Sequence, residues 1–133
     1  MLPRVPEALD NQAPHLRRGF AAEEIAARYL RARGLAVLAR NLRCRTGEID
    51  LIALDGDILA IIEVRQRCSR HFGGAIGSVT RRKQRRILRA AQFFWQRRLE
   101  WRAHVMRFDV IALDGVPDGA YALVWFKDAF RAG

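Results

Sequence analysis

Three carboxylates in the middle of this 133-residue chain carry the spacing of a reactive site. Glu48 and Asp50 stand two apart in Gly47-Glu48-Ile49-Asp50-Leu51-Ile52, and Glu63 leads Glu63-Val64-Arg65-Gln66-Arg67. Both segments read as strands, in which alternate side chains share a face. Glu48 and Asp50 then share a face with Ile52 and Leu54, as Glu63 does with Arg65 and Arg67. Asp55-Gly56 is a two-residue hairpin signal between the strands. A turn there pairs Glu48 with Glu63 and Asp50 with Ile61, leaving Asp50 diagonal to Glu63 at roughly 7–8 Å between backbones. Carboxylates between Ile49, Leu51, Ile61 and Ile62 are costly unless a cation compensates them. Two compensations are open: a metal ion held by the acids, or a cross-strand ion network with Arg65 and Arg67 that does no chemistry.

Two further segments bear on that choice. Phe20, Glu23, Ala27 and Leu30 form one helical stripe, which turns Glu23 toward the sheet, whereas Glu24 faces Arg28 and Arg17 and reads as a solvated salt bridge. Thr80 is a candidate N-cap followed by Arg81, Arg82 and Lys83, with Arg85, Arg86 and Arg89 beyond. Cations in a first helical turn oppose the helix dipole at about 0.3–1 kcal/mol each. Phosphate is an anion that would favour them there, through guanidinium forks and free backbone N–H groups. The plain alternative is the exposed face of an amphipathic helix that buries Ile87, Ala90, Ala91, Phe94 and Trp95.

The elements that must position these residues follow from periodicity and breakers. Residues 1–14, with Pro3, Pro6 and Pro14, read as an irregular arm, and 15–133 as one domain. A helix over 15–33 ends at Gly34, a left-handed cap. Strands follow over 35–43, 48–54 and 57–67, then a glycine-rich loop over 68–77 that carries His71. A helix over 80–99 and strands over 105–113 and 121–126 complete the order α-β-β-β-α-β-β. The β-α-β crossover makes the third and fourth strands parallel, so the fold class is α/β with a mixed central sheet flanked by helices. Arg107 and Asp109 share a strand face and read as an internal ion pair.

Lys and Arg number 24 against 14 Asp and Glu, a net charge of +10. A polyanion is the partner such a surplus fits, although a general preference for arginine would produce the same count. Cys44 and Cys68 fit neither a disulfide framework nor a zinc site, and no segment has the make-up of a signal peptide or membrane span. A cytoplasmic protein with no membrane partner is expected.

Gly19-Phe-Ala-Ala-Glu23 with Tyr29-Leu30, Asn41, Gly47 to Ile52, Glu63 to Arg67 and Arg107-Phe-Asp109-Val110, in that order, resemble the YraN family over about residues 16 to 114. That family looks like a branch of the restriction-endonuclease-like superfamily, similar to archaeal Holliday junction resolvases. The resemblance implies a magnesium or manganese site on Asp50 and Glu63, completed by Glu23, with Glu48 as an accessory. It puts residue 65 in the place of a lysine that helps activate water. The family usually reads Glu-Val-Lys where this chain has Glu63-Val64-Arg65, and an arginine stays protonated at any working pH. Lys83 is a second candidate for the amine. The expected function is nucleic-acid binding, DNA ahead of RNA, through Arg67, Arg81, Arg82, Lys83 and Arg85, with metal-dependent phosphodiester cleavage. A homodimer is an assembly the resemblance allows. The competing expectations are a non-catalytic nucleic-acid-binding module and a protein-interaction domain whose basicity is incidental.

Overall fold

A computed structural model describes residues 14–67, 79–115 and 121–131 of the chain. The expected arm and the glycine-rich loop with His71 lie outside the described residues, apart from Pro14. Helix α1 spans Pro14–Ala32, strands β1, β2 and β3 span Ala36–Cys44, Gly47–Asp55 and Ile58–Arg67, helix α2 spans Arg81–Arg97, and β4 and β5 span Val105–Gly115 and Tyr121–Phe130. A short helix α3, Leu99–Arg102, was not expected and follows α2 after a break at Arg98. It carries the buried Trp101 into the core. The last strand runs four residues further than expected.

The five strands lie in sequence order in one mixed sheet, parallel only between β3 and β4. Together with its helices this is an α/β fold of the restriction-endonuclease-like kind. One face packs α1 through Ala22, Ile25, Ala26 and Leu30 against Leu51, Ile62, Ile111 and Leu113. The other packs α2 through Ile87, Ala90, Ala91 and Phe94 against Ile49, Ile52, Ile61 and Val110. The end of α1 is a Schellman motif: Leu35 N–H donates to Leu30 C=O at 3.1 Å and Gly34 N–H to Arg31 C=O at 3.0 Å, with Gly34 at φ 91°.

Two features of β1, β2 and β3 depart from the expected register and alternation. The hairpin closes at Asp55–Ile58, with Gly56 at φ 60° and Asp57 as the turn pair, so the expected pairing of Asp50 with Ile61 gives way to Ile52 with Ile61. Continuing that register sets Asp50 opposite Glu63 rather than diagonal to it. Asn41 has a left-handed φ of 53°, and around it the faces slip by one residue: Ala39 and Leu42 both contact the α2 cluster, as Ile49 and Ile52 do. The expected strict alternation from Glu48 to Leu54 is therefore broken between Ile49 and Ile52, while Glu48 and Asp50 still border one cavity.

Gly47 sits under α2. A Cβ there would lie 2.9 Å from the Arg86 carbonyl oxygen, closer than real contacts allow, so only glycine permits this approach of helix to hairpin. Gly47→Ala is expected to cost about 1–3 kcal/mol through overpacking, read as a lowered Tm. A Tm equal to that of the parent would show that α2 shifts without cost.

Candidate metal and phosphate site

The carboxylates gather where the β2–β3 ladder stops. The paired rungs run from Asp55–Ile58 to Leu51–Ile62, and beyond them the Val64 N–H donates to Asp50 Oδ2 at 2.9 Å. The Asp50 side chain thus supplies the acceptor for a backbone donor at the end of the ladder, which fixes its carboxyl beside that of Glu63. Glu63 is only 4 % exposed. Burial first, and then the charge of Glu63, push the Asp50 carboxyl up to about 8, against a smaller opposing effect of the Val64 N–H. Burial and the neighbouring Glu63 charge therefore favour the protonated form of Asp50.

Glu23 reaches the same region from α1. Burial raises its carboxyl, the Asn41 side-chain hydrogen bond and the Arg40 charge oppose that, and Glu48 and Glu63 add to it. The sequence alone gives Asn41 no role, and the fold supplies one. Its left-handed backbone, more accessible to asparagine than to most residues, goes with a side chain that binds Glu23. Glu24 forms the expected salt bridge with Arg28 and is partly covered by a second, unexpected partner. It accepts from Arg28 at 2.8 Å and from Arg40 of β1 at 2.9 Å, with 19 % of its side chain exposed. Arg40 was the missed partner; the side chain of Arg17 lies outside the described residues. Glu48 is more exposed and pairs with Arg43 at 3.0 Å.

Helix α2 brings the opposite charge. Thr80 caps it, its Oγ1 accepting from the Lys83 N–H at 3.2 Å. The Lys83 side chain turns back to the sheet, with Nζ 2.7 Å from Glu63 Oε2, while Arg65 Nη1 lies 3.5 Å from the same oxygen. Asp50, Glu63 and Glu48 line one side of a cavity of about 580 Å³, and Arg82, Lys83 and Arg86 line the other. Arg81, Arg82 and Arg85 are exposed. Arg67 sits on β3 opposite Asp114 in the ladder, and its side chain lies outside the described residues. Among the described residues no group of three or more His, Cys, Asp or Glu side chains is arranged to hold a metal ion. The tight unit is the Asp50–Glu63 pair, with Glu23 and Glu48 around it.

Asp109 stands apart from this site. It is fully buried and accepts from Arg107 Nε at 2.8 Å, Arg107 Nη2 at 2.7 Å, Trp125 Nε1 at 3.1 Å and the Asp128 N–H at 2.9 Å. These four donors, with Arg107 also bridging to Asp55 at 3.0 Å, make the expected ion pair the centre of a structural network. No helix among the described residues is long and apolar enough to cross a membrane. Cys44 is a free thiol, and Cys68 lies outside the described residues.

Fold and site together define a small basic α/β domain of the restriction-endonuclease-like kind, with a recessed acid pair facing a cationic helix. The model of the uncharacterised protein family UPF0102 matches residues 22–113, and UPF0102 is the YraN family of the resemblance above. The chain belongs to this family. It is 47 % identical over 115 residues to the UPF0102 protein of Pseudomonas putida strain F1, covering 86 % of this chain and 94 % of that one. The UPF0102 protein of Pseudomonas entomophila strain L48 is 47 % identical over 113 residues, 85 % of this chain and 92 % of its own. That of Pseudomonas putida strain W619 is 44 % identical over 120 residues, 90 % and 98 % of the two chains.

Proposed function

We propose that this chain is a nucleic-acid-binding domain that cleaves phosphodiester bonds with a magnesium or manganese ion. The observation that carries the reading is the pair formed by buried Glu63 and half-buried Asp50, which opens into a cavity whose other side bears Arg82, Lys83 and Arg86. Two carboxylates brought together away from water are hard oxygen donors suited to such an ion, and a bound dication would take the place of the proton on Asp50. Asp50 and Glu63 would hold it, with Glu23 directly or through water and Glu48 as an accessory. When bound, the ion supplies Lewis acidity and a more acidic water.

The chain's own cations divide the remaining work. Lys83, 2.7 Å from Glu63, takes the amine role that the family usually gives to the residue at 65. Arg65 supplies fixed positive charge for the scissile phosphate, because a guanidinium does not give up its proton. Arg81, Arg82 and Arg85, with Arg67, hold the backbone on either side. The proposed setting is the cytoplasm, with DNA ahead of RNA as substrate, and a homodimer is the assembly to be tested.

The test is cleavage of branched, duplex and single-stranded substrates of DNA and RNA by purified protein with magnesium or manganese. Metal-dependent cleavage that Asp50→Asn abolishes is the expected result. One observation favours a second reading, a binding module without chemistry: Lys83 and Arg65 already neutralise Glu63. No cleavage of any substrate with either metal, together with salt-sensitive binding, would establish that module instead.

A further inference from the structure

We propose a second phosphate site beside the carboxylate cavity, in a cleft between Arg45 of the β1–β2 turn and Arg82, Arg85, Arg86 and Arg89 of α2. Its ligand is the phosphodiester backbone of a nucleic-acid strand, so the assignment rests on the reading above and extends the path of the strand past the acids.

The cleft is built by helical spacing and by one close approach. Arg82, Arg85, Arg86 and Arg89 stand at i, i+3, i+4 and i+7, one stripe of α2, while Ile87, Ala90, Ala91 and Phe94 repeat the same spacing on the stripe that packs against the sheet. Gly47 lets the helix backbone come down onto the β1–β2 turn, and the Arg86 Nε–H reaches the Thr46 carbonyl at 3.4 Å. That contact sets Arg45 across from the stripe, with an open groove of about 500 Å³ between them. A groove of that size leaves room for an extended anion along the arginine stripe.

Among the described residues no carboxylate compensates its charge: Arg45, Arg82, Arg85, Arg86 and Arg89 make no ion pair with one, whereas Arg28, Arg40, Arg43 and Arg107 each do. Converging guanidinium groups repel one another unless an anion joins them, and their planar forks match phosphate oxygens two at a time. Arg82 and Arg86 line both cavities, so the arginine cleft and the acid pair form one continuous path. A strand with its scissile phosphate at Asp50 and Glu63 would lay neighbouring phosphates on Arg82 and Arg86 and then between Arg45 and Arg89.

The test uses Arg45→Gln with Arg89→Gln, two exposed residues that line the second cleft and not the carboxylate cavity. Binding of a fluorescently labelled DNA duplex is measured over a salt series for the parent, the double glutamine variant and the corresponding double lysine variant. Losing two phosphate contacts is expected to flatten the plot of log affinity against log salt by about 1.8, at about 0.9 per contact. The lysine variant is expected to restore the parent slope, and Tm to stay unchanged throughout. A glutamine variant that keeps the full slope of a salt-sensitive parent would remove the cleft from the path and leave the carboxylate reading standing. A parent without salt-sensitive binding would overturn that reading and the cleft with it. Unlabelled duplex is expected to displace the probe at far lower total phosphate than inorganic pyrophosphate does; equal competition would give the cleft to a free phosphate ligand and overturn the strand assignment.

Discussion

Asp50→Asn is expected to make the protein more stable and, at the same time, inactive. The Asp50 carboxyl ordinarily titrates near 3.8 and is pushed up to about 8 by burial and by Glu63. Between those values the folded protein holds a proton that the unfolded chain has released. Stability is therefore present in full at the acid end and is lost as pH rises through that window. Asparagine does not ionise and leaves the Val64 N–H an amide oxygen to bind, so the loss disappears. The gain over the parent at pH 8 is expected to be on the order of 2–4 kcal/mol, a rise in Tm of several degrees or more for a domain of this size. Thermal unfolding from pH 5 to pH 9 reads it directly. A variant less stable than the parent at pH 8 would mean that cations already compensate the Asp50 carboxylate. Manganese adds a second readout: a ligand at a hundred times its Kd stabilises by about 2.7 kcal/mol, and that increment is expected in the parent at pH 8 and absent from the variant.

Lys83→Met is expected to lower metal-dependent cleavage by about a hundredfold or more, the scale of a lost proton-transfer group. Methionine keeps most of the apolar stem of the side chain and removes the ammonium at Glu63. The informative partner is Arg65→Lys. Alone it should change the rate little, because Lys83 already holds the amine position 2.7 Å from Glu63. Combined with Lys83→Met it should recover a large part of the lost rate, since a lysine at 65 returns an amine from the strand side. Single-turnover rates at saturating substrate separate this from weakened binding, and Tm values exclude unfolding. If Lys83→Met is silent and Arg65→Lys alone raises the rate, the amine belongs to β3 and the α2 contact is only an ion pair.

The elements were legible where chemistry and period agreed. Gly34 announced the end of α1 and forms its Schellman cap, and the β3–α2–β4 crossover followed from strand, helix and strand patterns of the right lengths. What the pattern could not carry was phase. Asp55-Gly56 and Gly56-Asp57 are overlapping turn signals, and the positive φ of Gly56 at the first turn position moved the register by one rung on each strand. Parity survived that shift, which is why Asp50 and Glu63 still meet. The slip at Asn41 has no binary signature; its only sign is an asparagine inside a strand, where it is disfavoured. Heptad reasoning turned Glu23 toward the sheet, yet it had no view of Arg40, because a contact from helix to strand depends on how the two are set against each other. The same limit hid the reach of Lys83 to Glu63 and the meeting of Arg45 with α2.

The absent side chain at Gly47 sets how low α2, a beam lying on the sheet along Ile87, Ala90, Ala91 and Phe94, can rest on the β1–β2 turn. Lys83 lies one helical turn before Arg86, whose carbonyl abuts Gly47, and Arg89 lies one turn after it. A beam seated there cannot tilt at one end without the other end answering. A substituent that lifts the beam there would disturb the salt bridge at the acids and the width of the arginine cleft together, although neither cavity contains it. The hydrogen atom at that position sets the tolerance for both.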